Sequence, residues 1–277
     1  MRSTSPQYNP PQYAPRSESS RPAMRGPGAI NMIVDILGIY VILGIGACIQ
    51  LLAALAGLWY APPLLLILGP ALRNALVWAG LMENQYLERV AFGRTSGKSP
   101  NVDEEGNSTG ELGVIKIGFR SNSPLGLLHP SARVVSRNFM EMITYLTTHA
   151  DESGYLNHEN YLATDRPSNN SLIVFFYFKS WHDIHRFAHG MHMKGWREFA
   201  RLSQEQVSEI EIWHESYMIS KSESIYVNTE PTGMGNLWHR LHPEACDEKH
   251  GTVTDPWINS LASITKSSSS KMRIGSQ

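Results

Sequence analysis

The residues best suited to chemistry lie between Trp181 and Asn228, in a stretch rich in histidine, tryptophan and tyrosine. Its first part has helical spacing, and its second part contains the run IWHESY at residues 212–217. Imidazole, carboxylate, indole and phenol groups are those that move protons and line small pockets. The stretch therefore predicts one small pocket that supports proton transfer.

His192 is the first candidate proton acceptor. It lies one helical turn before Trp196, so imidazole and indole can sit side by side, and Trp181 opens the same helix. A neutral histidine can move protons near pH 7, because its ordinary pKa is about 6.5. The alternative is a hydrogen-bonded histidine at a helix end, since Gly195 could stop the helix there.

His214 is the second candidate. Strand alternation places it with Ile210 and Ile212 on one face, which predicts that it faces the interior, where an imidazole needs a partner or acts as a base. The other face carries Glu211, Trp213, Glu215 and Tyr217. Glu215 either orients a group at a dimer seam or is simply solvated, and Tyr217 and Tyr226 either line the pocket or pack.

Four histidines share one side of the predicted helix. His182, His185, His189 and His192 fall within an arc of about 80 degrees, opposite Ile184, Phe187, Ala188 and Met191. Such spacing can hold a metal ion, but a solvated polar face has the same pattern and no HExxH motif occurs. The solvated face is the preferred interpretation, and no metal is expected.

The elements that position these residues follow from periodicity. Strands are predicted near 114–119, 155–163 and 172–178, and again near 209–219 and 223–228. Helices are predicted over 131–150 and 180–202. The order βαββαβ with an extra strand predicts an α+β, ferredoxin-like domain with two helices on one sheet face. The other face of the sheet must also be buried. A second copy of the chain is predicted to bury it, in a homodimer whose two sheets pack face to face.

An apolar hairpin precedes this domain. Residues 36–58 contain no formal charge and are long enough to cross a bilayer as a helix. Residues 64–82 are predicted to form the second helix, which crosses back. Arg73 interrupts the return, so that segment is a span, a re-entrant loop or an interfacial helix. The preferred interpretation is that the Arg73 side chain extends to the membrane surface or pairs within the hairpin, and the alternative is that it reaches a substrate or lipid headgroup.

Charge and cysteine content indicate the compartment. Basic residues flank the hairpin on both sides, and its turn has none. This predicts that both ends of the hairpin, and with them the soluble domain, lie in the cytosol. The membrane is expected to be that of the endoplasmic reticulum. Cys48 lies in the apolar run and Cys246 near the end of the chain, so no disulfide is predicted between them. A net charge of -1 gives no reason to expect nucleic acid as a partner.

The predicted organisation has five parts. A disordered tail covers 1–29, the membrane hairpin 30–83, a linker 84–111, the α+β domain 112–238 and an irregular tail 239–277.

Separated motifs carry a resemblance to a known family. Residues 181–199 (Trp-x5-Phe-Ala-x3-His-x3-Trp-x2-Phe), IWHESY at 212–217, ESIYVN at 223–228 and PTGMG at 231–235 occur in one order. Over roughly 112–238 the chain resembles the uncharacterised branch of the antibiotic-biosynthesis monooxygenase-like proteins, and with its hairpin it is similar to fungal members from secondary-metabolite gene clusters. It departs from the family pattern at Glu211 and at Thr229-Glu230, which should alter a loop or rim rather than the fold.

The resemblance implies a dimeric α+β barrel and a monooxygenase that acts on a lipophilic polyketide or terpenoid with dioxygen as co-substrate and no cofactor. By the same likeness His192 or His214 would be the base, Trp196 and Trp213 the cavity walls, and Tyr217 or Asn228 the donors to the developing anion. Trp181, Glu215 and Tyr226 would complete the substrate site.

Two alternatives stay open. One is a haem enzyme of the aldoxime dehydratase type, in which His192 would be the axial ligand. The other is a non-catalytic membrane-anchored protein that binds lipophilic ligands.

Overall fold

The computed structural model describes residues 17–18, 29–97, 111–240 and 257–263. Its helices are α1 (Ala29–Leu55), α2 (Ala61–Trp78), α3 (Pro130–Thr148), α4 (Ala150–Ser153), α5 (Trp181–Phe187), α6 (Met193–Phe199) and α7 (Gln204–Ser208). Its strands are β1 (Ser17–Glu18), β2 (Ala91–Gly97), β3 (Leu112–Ser121), β4 (Tyr155–Leu162), β5 (Leu172–Phe178), β6 (Ile210–Ile219), β7 (Tyr226–Thr229), β8 (Trp238–Arg240), β9 (Trp257–Asn259) and β10 (Leu261–Ser263).

The central sheet confirms the predicted fold class. Its strand order is β4-β5-β3-β6 with antiparallel neighbours, and the chain order of this unit is β3-α3-β4-β5-α5/α6-β6. This is the ferredoxin-like βαββαβ arrangement. The homodimer stays a prediction.

The core lies between this sheet and the helices. β5 reads LIVFFYF and occupies an interior position of the sheet, as a continuous apolar run requires. On its helix-facing side Val174 and Phe176 are fully buried against Phe139, Met142 and Phe187. Burial of these large side chains holds α3 and α5 against the sheet.

The predicted single helix over 180–202 is interrupted. Ser180 caps its start by accepting a hydrogen bond from the Asp183 backbone N at 3.2 Å. Gly190 then leaves helical geometry within a π-helical turn over residues 188–192. The helix resumes and continues through Gly195 to Phe199, so the break lies at Gly190 and not at Gly195 as the sequence suggested.

A second small sheet changes the predicted boundaries. β2 pairs with β7 and with β10, so residues 91–97 of the predicted linker and the predicted extra strand belong to this sheet and not to the central one. Part of the predicted irregular tail is also structured, because β9 pairs with β8 and with β1. Most of the predicted tail over 1–29 lies outside the described residues.

The open face of the central sheet is partly covered by the chain itself. Leu237, with Met234 beside it, packs against Leu112, Val114 and Leu156. The cover that the sequence assigned wholly to a second copy is therefore supplied in part by residues 233–237.

Two helices are long and apolar enough to cross a membrane. The first covers 31–55 with a mean hydropathy of 2.4 and the second covers 61–78 with a mean hydropathy of 1.3. The first helix has non-helical geometry at Gly38, with φ 69° and ψ 161°. Arg73, in the second, donates a hydrogen bond to Gln85, which lies just beyond the predicted hairpin and not within it.

Candidate active site

Two histidines from separate elements meet at the edge of the central sheet. His192 ends the π-helical turn, and His214 lies on the edge strand β6, on the side that faces the helices. Their rings are edge to face, with centroids 5.3 Å apart. The sequence predicted both residues as candidates, and the structure brings them together.

The environment of His192 keeps it neutral. Burial, with a smaller contribution from nearby His214, lowers the pKa of the His192 imidazole from 6.5 to about 4. Its Nδ1 is buried and has no hydrogen-bond partner among the described residues. A neutral imidazole with an unpaired ring nitrogen can accept a proton from a bound molecule.

His214 is more open than predicted. The sequence placed it in the interior, but the residue is exposed in the single chain because β6 is an edge strand. It does face the helix side, as predicted, opposite Ile117 of β3. The pair therefore combines one largely buried imidazole with one that solvent and small molecules can reach.

The two tryptophans of the predicted helix contact different rings. Trp196 contacts the ring of Phe199 at 5.7 Å and is 50% exposed, one turn beyond His192 as predicted. Trp181 instead contacts His185 at 5.0 Å, at the start of α5. The interruption at Gly190 lies between Trp181 and His192, so the predicted trio is divided.

A second group of predicted residues lies on the opposite face of the sheet. The Trp213 ring lies 4.7 Å from the Lys116 ammonium, and it packs on Gly118, where an added Cβ would be 2.2 Å from Trp213 Cε2. Lys116 also pairs with Glu215 at 3.6 Å. The Tyr217 hydroxyl donates to Glu215 at 2.7 Å, and this carboxylate raises the pKa of the Tyr217 phenol.

Strand geometry therefore separates Tyr217 from His214 within one chain. Adjacent positions on a strand point to opposite faces, and positions 214 and 217 differ by an odd number. Trp213 and Tyr217 therefore cannot line one pocket together with the histidine pair of the same chain.

Tyr226 and Asn228 hold backbone in the second sheet. The Tyr226 hydroxyl accepts a hydrogen bond from the Gly235 backbone N at 3.2 Å. Asn228 has φ 51°, and its Oδ1 accepts from the Gly93 backbone N at 2.8 Å. Both side chains thus hold backbone in place, and their role in substrate binding stays a prediction.

The sequence did not predict a set of hydrogen bonds that converge on the Glu159 carboxylate. This carboxylate accepts hydrogen bonds from Thr232 Oγ1 at 2.6 Å, from the Tyr161 hydroxyl at 2.9 Å and from the Gly233 backbone N. The Tyr177 hydroxyl lies 3.4 Å away, and burial followed by the Glu159 charge raises the pKa of this phenol far above its ordinary range. The run of four consecutive polar residues at 157–160 in β4 was the available signal.

A buried histidine on β4 was also missed. His158 is 3% exposed, and its Nδ1 is hydrogen-bonded to the Tyr155 hydroxyl. Its ring lies 5.7 Å from Phe176 in the core. This pair satisfies polar groups inside the core and lies apart from the exposed side of His214.

No group of three or more His, Cys, Asp or Glu side chains among the described residues is placed to hold a metal ion. A haem, in the alternative interpretation, would bind through His192. The rings of His214 and Phe187, at 5.3 and 5.9 Å, already contact this imidazole, so a macrocycle on their side would displace them.

Comparison with known proteins gives a consistent result. Residues 112–234 match the family described as Monooxygenase af470-like. The chain is 30% identical over 231 residues to Monooxygenase af470 from Aspergillus fumigatus, which covers 80% of this chain and 81% of that protein.

Similar solved structures cover only the central part of the chain. SnoaB, a cofactor-independent oxygenase from Streptomyces nogalater, is 12% identical and covers 39% of this chain and 90% of its own, with a TM-score of 0.25. A putative antibiotic biosynthesis monooxygenase from Deinococcus radiodurans is 11% identical and covers 38% and 89%, with a TM-score of 0.26.

Proposed function

Because the chain belongs to the Monooxygenase af470-like family and is an oxidoreductase on that ground, we propose that it is a membrane-anchored monooxygenase of a lipophilic polyketide or terpenoid intermediate in fungal secondary metabolism. The observation that carries the proposal is the contact between the rings of His192 and His214, whose centroids are 5.3 Å apart. It joins a neutral proton acceptor to a second imidazole that solvent can reach.

The proposed chemistry needs dioxygen as co-substrate and no cofactor. His192 accepts a proton from an activated methylene of the substrate, and the resulting carbanion passes electrons to dioxygen. One oxygen atom remains on that carbon as a carbonyl, and the other leaves as water with the two hydrogens of the methylene. All electrons come from the substrate, so no external reductant is required.

His214 assists by donating a hydrogen bond to the substrate oxygen on which negative charge develops. Its exposure on the edge strand supports this role, because a substrate can reach it without displacing the core. Trp196, half exposed one turn from His192, provides an apolar wall.

Membrane anchoring is part of the proposal. The two apolar helices are almost wholly exposed, with 6% and 0% of their most apolar windows buried, and exposed apolar surface on this scale needs a lipid environment. A lipophilic substrate concentrates in the same bilayer.

The test begins with the substrate that accumulates when the gene is deleted. This metabolite is supplied to the purified full chain in lipid vesicles under isotopically heavy dioxygen, and mass spectrometry follows the product. We expect one heavy oxygen atom in the product, and we expect His192→Gln to lower the rate about a hundredfold or more, as loss of a general base does.

His182→Gln is the matched control, because His182 lies on the same helix but is exposed and outside the pair. Its rate should equal that of the unmodified chain. Full activity of both His192→Gln and His214→Gln, in protein that remains folded, would show that the pair is not the site.

A further inference from the structure

The first turns of α1 are held against one end of the soluble domain. The Asp35 carboxylate accepts hydrogen bonds from the Asn170 backbone N at 3.0 Å and from Asn170 Nδ2 at 2.5 Å. The Asp35 carbonyl oxygen accepts from the Asn169 backbone N at 3.1 Å. Hydrogen bonds to a charged acceptor are stronger than neutral ones, so they fix this end of the domain relative to the helix.

The loop between β3 and α3 also contacts α1. Gly126 has φ 55°, and a Cβ added there would lie 2.2 Å from Asn169 Oδ1 and 3.4 Å from Ile36 Cγ2, so only glycine permits this approach. Asn169 Nδ2 in turn donates to the Ser123 carbonyl oxygen at 3.3 Å. The loop therefore lies beside Ile36, which is the first residue of the predicted membrane span.

Two exposed leucines form a ridge on this loop. Residues 126–128 make a single 3-10 turn with Leu125 as its N-cap, and side chains three residues apart eclipse each other in such a turn. Leu125 and Leu128 therefore lie on the same side, and they are 57% and 56% exposed. Leu127 instead packs against a buried cluster that includes Ala132. Leu125 and Leu128 together are called the leucine ridge below.

The first turns of α1 also expose apolar side chains. Asp35 is directed to the domain, whereas Ile33 and Val34 are 54% and 46% exposed. Beyond the non-helical Gly38 the helix continues with Ile39, which is 52% exposed. Exposed apolar surface therefore continues from the docked turns of α1 into the span.

Two exposed arginines lie near the leucine ridge. Arg166 donates a hydrogen bond to Asn122 Oδ1 at 3.0 Å, at the start of the same loop, and Arg133 lies in the first turn of α3, just after it. Residues 121–128 contain no charged side chain. Apolar side chains accompanied by arginine are typical of surfaces that lie in the headgroup layer, because the apolar groups enter the acyl-chain boundary and guanidinium binds phosphate.

A lipid bilayer is the occupant that these surroundings favour. The loop that carries the ridge contacts Ile36, where the predicted span begins, so a bilayer that encloses the span also reaches the ridge. The polar layer on each side of the hydrocarbon is roughly 5–8 Å thick, and apolar side chains of interfacial segments are buried at that depth. A protein partner would have to fit between the ridge and the bilayer surface.

We propose that the leucine ridge is a second membrane contact, in which Leu125 and Leu128 insert into the phospholipid leaflet beside Ile36. Arg133 and Arg166 bind lipid phosphates at the same surface. The inference rests on the membrane anchoring in the proposed function. Together with the hydrogen bonds of Asp35, this contact holds the soluble domain against the bilayer in one orientation.

The test uses the unmodified full chain in phosphatidylcholine vesicles, in which part of the lipid carries a photoreactive diazirine in its acyl chain. Peptides cross-linked to lipid are mapped by mass spectrometry. We expect labels on Leu125 and Leu128 as well as on α1 and α2. Trp181 should carry none, although it is 43% exposed, because β5 separates it from Asn170 by roughly 20 Å at about 3.3 Å per residue.

Leu128→Glu should lower the labelling of Leu125 about fivefold or more, because a carboxylate is costly to place among acyl chains. Met140→Glu is the matched control, since Met140 is 59% exposed on α3 and Leu128 is 56% exposed. Labelling of Leu125 in this control should equal that in the unmodified chain. An equal loss in both variants, or no loss in Leu128→Glu, would overturn the inference.

An alkaline carbonate wash of the vesicles separates this inference from the proposed anchoring. A chain that stays in the vesicles and is labelled on α1 and α2, but not on the leucine ridge, would refute the second contact and leave the anchor standing. The same result is expected if a protein covers the ridge. Release of the chain by the wash would refute the anchoring and, with it, this inference.

Discussion

His192 combines burial with a missing hydrogen bond, and that combination distinguishes it from the other histidines of its helix. His182, His185 and His189 are exposed, whereas His192 follows the non-helical Gly190 and contacts Phe187 and His214. Irregular turns of this kind are frequent at functional sites. The regular histidine face that the sequence predicted is therefore divided, and one member is directed to the sheet.

The pH dependence of stability follows from the lowered pKa of His192. Between pH 6.5 and about 4 the unfolded chain binds a proton at this residue that the folded chain does not, so stability falls as the pH falls through this window and levels off below it. The free energy of unfolding should fall over this window by on the order of 2 kcal/mol, with the partial exposure of His192 taken into account. We expect this loss to be absent in His192→Gln.

This pH effect is measured by thermal unfolding of the full chain in detergent at pH 7 and pH 4.5. His182→Gln, which changes an exposed histidine, should keep the pH dependence of the unmodified chain. An unchanged pH dependence in His192→Gln would contradict the burial-driven shift.

Glu159 stabilises the element that follows β7. It connects β4 with Thr232 and Gly233, directly before the turn that brings Leu237 onto the open face of the sheet. Hydrogen bonds to a charged acceptor contribute more than neutral ones, so this carboxylate is one of the polar contacts that hold the cover in place.

Glu159→Ala should loosen residues 232–237 without disturbing the helices. We expect hydrogen exchange in this segment to accelerate about tenfold or more, because local opening becomes easier by roughly 1–2 kcal/mol. Mass spectrometry of the exchanged full chain measures this. Glu230→Ala is the control, since Glu230 forms an exposed pair with Arg89 at 3.3 Å and such pairs contribute little.

At the scale of the whole molecule, the uncovered half of the open face predicts self-association. It carries Trp213, Lys116, Glu215 and the 47% exposed Tyr217, beyond the half that Leu237 covers. Aromatic rings such as those of Trp213 and Tyr217 are enriched at the centres of protein interfaces. A second copy packed there would also bring its own Trp213 and Tyr217 to the assembly.

The full chain in detergent should therefore be a homodimer by light scattering, and Tyr217→Glu should shift it to monomer. That substitution places a second carboxylate beside Glu215, and like charges oppose burial at an interface. Tyr145→Glu on α3, where Tyr145 is 37% exposed, should leave the dimer intact. A monomeric unmodified chain would refute the prediction.

The sequence by itself determined the local elements. Apolar residues at a period of two or 3.6 indicated the strands and helices of the ferredoxin-like unit. Long apolar runs indicated the two apolar helices. Both signals depend only on neighbours in the chain. The motif residues 181–235 likewise indicated the family and both histidines of the candidate pair.

Only the tertiary structure decided which side chains meet. The break at Gly190 turns His192 towards His214, and strand alternation puts Tyr217 on the other face. The contact between Glu159 and Thr232 joins segments 73 residues apart. Such contacts depend on how elements pack and on strand register, which periodicity does not encode.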